Sequence, residues 1–330
     1  MAKSFAMLAH HLPPLPMGGY TVTGWLMSRK LNGHCWLWDG GITRGMPAVK
    51  CPWYLSAEKN FTSTGLWSLG RTAGPQVVHA PDWFLNELPI GVPLHGEGWH
   101  PSDNTSAIGF TRGYDSTHAG WHDIIYNVYN YKPYSMWGLT PELAEKVKYS
   151  QFNENKRFTA RQDLLNSAYA EVEEDRGPIT CWTVTPQYVL KMGQLNDFVS
   201  DALDKGWEGL MFANPHSFYE CQRSYSLLKF KPEYETEAEI VEFEDGKTGR
   251  RIGETGAIWV KTTWDEKITS IVGGKAEFIG TTVRSKVSGL TDQEAAGITK
   301  YYKIGDTLRI KFNNVSPYGV PLHCNIYRGK

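Results

Sequence analysis

The chain has 330 residues, two domains' worth at ~150 residues each. Hydrophobic residues make up 41% and charged residues 21%, which supports a globular core and excludes wholesale disorder. Lys and Arg number 34 against 35 Asp and Glu, a net charge of −1, which speaks against a uniformly basic nucleic-acid coat. No run approaches the ~18 apolar residues of a transmembrane helix, and the start, MAKSFAMLAHHLPPLPMGG, lacks the plan of a signal peptide. Five scattered cysteines without a CxxC pair fit reduced thiols in a cytoplasmic compartment and speak against zinc. Of 13 Trp, 11 precede residue 232; such an excess means a large core first and ring stacking second.

Residues 1–20 are rich in Pro and Gly and predict a loop lead-in. Strands are predicted over 21–29 and 34–39, joined as a hairpin by Asn32-Gly33. Further strands are predicted at 92–98 and 124–130, with a mobile polar loop over 101–120 between them. Helices follow over 140–149 after Thr140-Pro141, over 159–174 and over 187–205. Strands come next at 207–213 and 226–231. The composition then changes. Residues 233–245 carry seven acids alternating with Ala238, Ile240, Val241 and Phe243, the pattern of a strand with one charged face. Short strands are predicted at 256–262, 267–272, 276–284 and 306–312, which suits a small β-barrel. A domain boundary is placed near Pro232.

Four short motifs carry reactive side chains: Lys30-Leu31-Asn32-Gly33, His95-Gly96-Glu97-Gly98, Glu208-Gly209-Leu210-Met211 and Lys229-Phe230-Lys231. Each alone has a bland reading: a solvated lysine before a turn, a glutamate at a strand end, a charged sheet edge. Together, in their order, they resemble the motifs of covalent nucleotidyltransferases, and the phosphate chemistry which that resemblance implies has a physical basis. Forming a phosphoramidate needs a lysine reacting as the neutral amine, a form favoured by neighbouring cations and partial burial. Lys229 and Lys231, two apart on a strand, point to one side as a phosphate clamp. Glu97 and Glu208 offer hard oxygens to Mg²⁺. Tyr129 and Met211 offer apolar faces to a flat purine, and Arg44 suits bidentate phosphate or ribose contacts.

In order and spacing these motifs resemble those of the ATP-dependent DNA ligase family of covalent nucleotidyltransferases, which also holds RNA ligases and mRNA capping enzymes. The likeness is to minimal two-domain phage and bacterial ligases. Trp38-Asp39-Gly40 extends the first motif, and Thr43-Arg44-Gly45 is similar to the serine/threonine–arginine motif that follows it. Val128-Tyr129-Asn130 resembles the aromatic strand, and residues 219–231 resemble the stretch leading to the last motif.

The resemblance implies an α+β fold. An adenylation domain of antiparallel sheets with helices would occupy residues 1–232, and an OB-fold β-barrel residues 233–330. It implies that Lys30 attacks the α-phosphate of ATP, that AMP passes to the 5′-phosphate of nicked duplex DNA, and that the 3′-hydroxyl then seals the strand. Glu97 would serve ribose or metal, Glu208 the metal, Tyr129 and Met211 the adenine, and Lys229 with Lys231 the α-phosphate. Arg223 and Arg328 would reach nucleic-acid phosphate. The cofactor would be Mg²⁺, for which Mn²⁺ can substitute. The expected protein is a monomeric cytoplasmic enzyme of a bacterium or phage-infected cell, without membrane contact. Lys30 lies so near the start that no upstream helical DNA-binding domain is expected, and the absence of an upstream nicotinamide-recognition domain and of zinc and helix-hairpin-helix modules favours ATP over NAD.

Departures from the family pattern are Asn32 for an acid, Cys35 for an arginine, His95 for an aspartate and Asn130 for an aspartate. The pair His118 and His122 has helical spacing but lacks the glutamate of HExxH, so zinc catalysis is not expected. Alternatives are an RNA ligase, a capping-type nucleotidyltransferase, or a non-catalytic nucleic-acid-binding protein with a ligase-like domain. The balanced total charge also divides. Residues 246–330 hold 14 bases and seven acids, net +7, which predicts salt-sensitive DNA binding mainly through the barrel.

Overall fold

The computed structural model describes residues 4–12, 21–55, 61–70, 74–102, 105–247, 249–264, 278–316 and 318–329. The strand expected at 267–272, and the start of the one at 276–284, lie outside them. The chain divides into two compact units: Met1–Ala202 with Trp207–Phe230, and Leu203–Gly206 with Lys231–Lys330.

The first unit is built on two sheets. Its strands are β1 (Leu8–His11), β2 (Leu26–Lys30), β3 (His34–Asp39), β4 (Leu66–Leu69), β5 (Pro75–Val77), β6 (Pro93–Trp99), β7 (Ile125–Asn130), β8 (Trp182–Val184), β9 (Tyr188–Val189), β10 (Gly209–Ala213) and β11 (Arg223–Phe230). One sheet runs β1-β11-β10-β2-β9, the other β5-β4-β3-β6-β7-β8. Pairing is antiparallel except for β1 with β11 and β7 with β8.

The expected β2–β3 hairpin is not formed. Each strand pairs elsewhere: β2 with β10 and β9, β3 with β4 and β6. The Asn32-Gly33 turn therefore hands the chain from one sheet to the other. Gly33 is required there by sterics, because a Cβ would stand 2.3 Å from the carbonyl oxygen of Gly98.

β3 reads as a nearly continuous apolar run because it is central and packed on both faces. Trp36, Leu37 and Trp38 are fully buried. They join Trp67, Trp121, Trp137 and Trp182 in one core, so most of the tryptophan excess is core. Met27, Leu210, Phe212 and Leu228 form the smaller core of the other sheet.

The helices α2 (Pro141–Val147) and α3 (Phe158–Arg176) start and stop where the sequence signals place them. Thr140 caps α2, accepting from the Leu143 N–H, and Gly177 ends α3 with φ 83°. The single helix expected over 187–205 is instead β9 followed by α4 (Leu195–Asp204), with Gly193 between them at φ 83°. The lead-in hides β1, and the loop expected over 101–120 contains 3₁₀ segments Thr105–Arg112 and Ala119–Asp123. A short helix that the sequence reading omitted, α1 (Asp82–Glu87), precedes β6.

The second unit contains β12 (Tyr234–Asp245), β13 (Thr255–Thr263), β14 (Thr282–Val287), β15 (Thr307–Phe312), β16 (Asn314–Val315), β17 (Pro321–Leu322) and β18 (Asn325–Ile326). Five of them form an antiparallel sheet in the order β14-β13-β12-β15-β18. A bridge between Ser288 and Asn325 ties the end of β14 to β18 and curls the sheet toward closure. Ile240, Ile258, Val260, Trp264, Ile310 and Phe312 fill it. The architecture is α+β, with an OB-like second unit.

The acidic strand alters the charge reading. β12 lies between β13 and β15, and its carboxylates, with that of Glu233 just before it, reach cations of β14 and β15. Glu233 meets Lys311 at 3.1 Å, Glu235 Arg309 at 2.7 Å, Glu242 Arg284 at 2.6 Å and Glu244 Lys286 at 2.7 Å. Four of the bases counted after residue 245, Arg284, Lys286, Arg309 and Lys311, thus face carboxylates in space.

Candidate active site

A cavity of about 230 Å³ opens between the two sheets of the first unit, lined from one side by β1, β2, β10 and β11 and from the other by β3, β6 and β7. Lys30 enters it from the last position of β2, immediately before the chain crosses to β3. Its amine pairs with Glu208 and also donates to the Leu31 carbonyl at 3.3 Å. Register explains the encounter: Lys30 lies opposite Gly209, so the preceding Glu208 comes level with the lysine's end of the strand.

Glu97 joins from β6, where it lies between Cys35 of β3 and Asn127 of β7. Its flanking glycine is structural as well. A Cβ on Gly98 would stand 2.5 Å from the Trp36 ring. Met211 of β10 lies directly opposite Lys229 of β11 and lines the same space. Lys30, Glu97, Tyr129, Met211, Lys229 and Arg223 are therefore brought together at one cavity, with Glu208 held to Lys30.

Three other expected residues do not line this cavity. Lys231 follows the end of β11 and is not among the lining residues. Arg44 lies at a separate depression, bonded to Asn86 at 2.8 Å and Asp82 at 2.7 Å, because α1 supplies these partners. Arg328, expected at nucleic-acid phosphate, forks onto Glu294 at 2.7 and 3.1 Å and donates to the Gly289 carbonyl. That pair, with the Thr291 capping box, holds the Glu294 carboxyl down to about 2.

The floor of the cavity is built around His95, a histidine that hydrogen-bonds on both ring nitrogens. His95 is 1% exposed. Its Nε2 lies 3.3 Å from Cys35 Sγ and 3.2 Å from the Tyr129 hydroxyl, and its Nδ1 2.9 Å from the Tyr219 hydroxyl. Burial, aided by the Lys132 and Arg161 cations, pushes the imidazole down to about 3, so it is neutral. Burial likewise pushes the Cys35 thiol up to about 12 and the Tyr129 phenol well above its usual range. These groups act as a neutral hydrogen-bonded support that orients Tyr129. From behind, α3 braces β7: Arg161 donates to Asn130 at 2.8 Å and Gln162 to the Tyr129 carbonyl at 2.9 Å. Asn130 thus holds strand to helix without a charge.

Sequence reading missed Arg29. It lines the cavity beside Lys30, with its guanidinium over Trp99 at 5.3 Å and Trp207 at 5.1 Å. Among the described residues no group of three or more metal-ligating side chains is gathered. Mg²⁺ held by one or two carboxylates plus substrate phosphates needs none, and Glu97 with Glu208 fits that mode.

No protein-family model matches the chain. A DNA ligase of Natronomonas pharaonis is 30% identical over 135 residues, 40% of this chain and 22% of the relative, so the chain spans about a fifth of that relative's length. Among solved structures, a Lig E DNA ligase superposes over 100% of both chains at TM-score 0.66 and 19% identity. A protein named Pmar-Lig_Pre superposes over 98% of this chain and 66% of its own at TM-score 0.63 and 18% identity. The chain has the fold of these proteins.

Proposed function

We propose that the chain is an ATP-dependent DNA ligase that seals nicks in duplex DNA through a Lys30-AMP intermediate. The observation that carries this reading is the convergence of Lys30, Glu97, Glu208, Tyr129, Met211 and Lys229, from both sheets, around one cavity.

Lys30 Nζ attacks the α-phosphorus of ATP. An N–P bond forms, the bond to pyrophosphate breaks, and Lys30 loses a proton. Glu208, in contact with Nζ, orients the amine. Lys229 draws the α-phosphate toward it. Tyr129 and Met211 hold the purine, and Arg29 adds a cation beside the nucleophile. An oxygen of the 5′-phosphate at the nick then attacks the same phosphorus, breaking the N–P bond. The 3′-hydroxyl finally attacks the activated 5′-phosphate, and AMP leaves. Glu97 and Glu208 would hold Mg²⁺, which neutralises charge on the phosphates.

The test is incubation with Mg²⁺ and α-labelled ATP, followed by a denaturing gel. Wild type is expected to retain label and Lys30→Ala to retain none. Label from GTP instead would favour a capping-type enzyme, and no label from either would overturn the enzyme reading. Sealing of a nick in DNA against one in RNA then fixes the substrate.

A further inference from the structure

Two rows of side chains run along the facing walls of the cavity and end at one short connection. Met211 of β10 lies opposite Ser28 of β2, and because Met27 pairs with Tyr188 of β9, Gln187 comes level with Ser28. On the facing sheet Val128 pairs in parallel with Val184, so Thr185 comes level with Tyr129. Met211, Ser28, Gln187, Tyr129 and Thr185 all line the cavity. Thr185, Pro186 and Gln187 are consecutive and carry the chain from β8 of one sheet to β9 of the other. This connection therefore stands at the end of both rows, beyond Tyr129 and Met211.

The connection holds polar atoms that the fold itself does not use. Thr185 is 7% exposed, and its hydroxyl is buried with no hydrogen-bond partner among the described residues. An unpaired buried hydroxyl is destabilising, and a valine would fill the same space without that cost, so the threonine needs a reason beyond packing. Gln187 donates its amide N–H to the Thr185 carbonyl at 3.5 Å, which leaves its amide oxygen as an acceptor. One donor and one acceptor, both neutral, thus stand side by side where the two rows end.

We propose that Thr185 and Gln187 read the 6-amino edge of the purine held between Tyr129 and Met211, and so make Lys30 selective for ATP over GTP. Lys30 and Ser28 share one face of β2, two residues and about 7 Å apart. A nucleotide with its α-phosphate at Lys30 therefore extends its base along the row toward the connection. Adenine presents there a 6-amino donor beside the N1 acceptor. The Gln187 amide oxygen accepts from the amino group, and the Thr185 hydroxyl donates to N1. Guanine presents a carbonyl at position 6 and an N–H at position 1, which sets oxygen against oxygen at Gln187. The bond to the Thr185 carbonyl opposes the amide flip that would relieve this. The inference rests on the adenylylation reading and names the residues that choose its nucleotide.

The experiment uses the full-length protein with Mg²⁺ and follows covalent labelling from α-labelled ATP, GTP and purine riboside triphosphate, which lacks the 6-amino group. Rate and half-saturating concentration are measured for wild type, Gln187→Ala, Gln187→Glu and Thr185→Val. Wild type is expected to favour ATP over GTP by about 100-fold or more, and over purine riboside triphosphate by about tenfold. Gln187→Ala is expected to lose about tenfold on ATP and to use ATP and purine riboside triphosphate alike. Gln187→Glu, whose carboxylate only accepts, is expected to keep the preference for ATP and to reject GTP at least as well as wild type. Thr185→Val is expected to lose about tenfold on both nucleotides that carry the N1 acceptor, with the preference between them unchanged. An equal loss on all three nucleotides in Gln187→Ala would show a merely structural role and overturn the assignment, as would a Gln187→Glu protein that admits GTP. If ATP labels wild type and the variants keep its full discrimination, only this inference falls. If wild type is never labelled, the adenylylation reading falls and takes this inference with it.

Discussion

Acid is expected to loosen the cavity through one side chain, His95. Its imidazole is held down from 6.5 to about 3 by burial first, then by the Lys132 and Arg161 cations. In the unfolded chain the ring protonates near its ordinary pKa, and in the folded chain it resists. The unfolded state therefore binds more protons below ~6.5, and stability falls as pH falls through that window. At ~1.36 kcal/mol per pKa unit, the loss is about 2 kcal/mol at pH 5 and approaches ~5 kcal/mol near pH 3. Asp39 works in the opposite sense. Burial holds its carboxyl up to about 6, so its burden is relieved as pH falls. The clean measurement is therefore a difference. Denaturant unfolding of wild type and His95→Gln from pH 7 to 4.5 isolates the histidine, because glutamine can donate and accept hydrogen bonds but does not titrate. The stability difference is expected to shift by about 2 kcal/mol in favour of glutamine between pH 7 and 5. NMR of the ring is expected to show no titration above pH 4. Parallel pH profiles for the two proteins, or a ring titrating near 6.5, would refute the reasoning.

Three other expectations are open to direct test. Gly33→Ala forces a Cβ against the Gly98 carbonyl at the crossover that presents Lys30. A loss of ~2–4 kcal/mol with weakened adenylylation is expected, and an unchanged midpoint in denaturant would show that the turn can shift freely. Glu294→Ala removes a capping box and the fork on Arg328 together. Because Arg328 is partly exposed, about 1–3 kcal/mol is expected. The Glu294 part is present above pH ~4.5 and fades toward pH 2, so a wild-type loss confined to other pH values would count against it. Substituting Glu235, Glu242 and Glu244 by Gln frees Arg309, Arg284 and Lys286. Affinity for nicked DNA is expected to rise, with a salt slope steeper by up to ~0.9 per freed cation that meets a phosphate. A constant slope would place these strands away from the DNA.

What could be read in advance follows the range of the forces involved. β3, β7 and β10 announce themselves because their apolar pattern is continuous or alternating over five to six residues, and local pattern reports burial. Asn32-Gly33 announces a turn equally well, yet a turn does not name the partner strand. The partners of β2 are β9 and β10, the latter some 180 residues away, and that long-range pairing makes the turn a crossover and sets Lys30 between two sheets. β1 is invisible for the same reason: four residues gain their place only from β11, more than 200 residues later. Arg44 sits in a motif whose local sequence is right, but its guanidinium is claimed by a helix the motif does not contain.

Charge follows the same logic most sharply. Counted along the chain, acids and bases of the second unit are separated into blocks. Folded, β12 is laid against β15, and its carboxylates also reach across to β14, so the separation becomes a ladder of pairs. Surface pairs of this kind contribute little to stability, about 0–1 kcal/mol each, so they are weak as a reason for the fold. Their consequence lies in recognition, since each cation they occupy is one that a phosphate must win from a carboxylate. A duplex bound by such a surface would discriminate by how many pairs it can open.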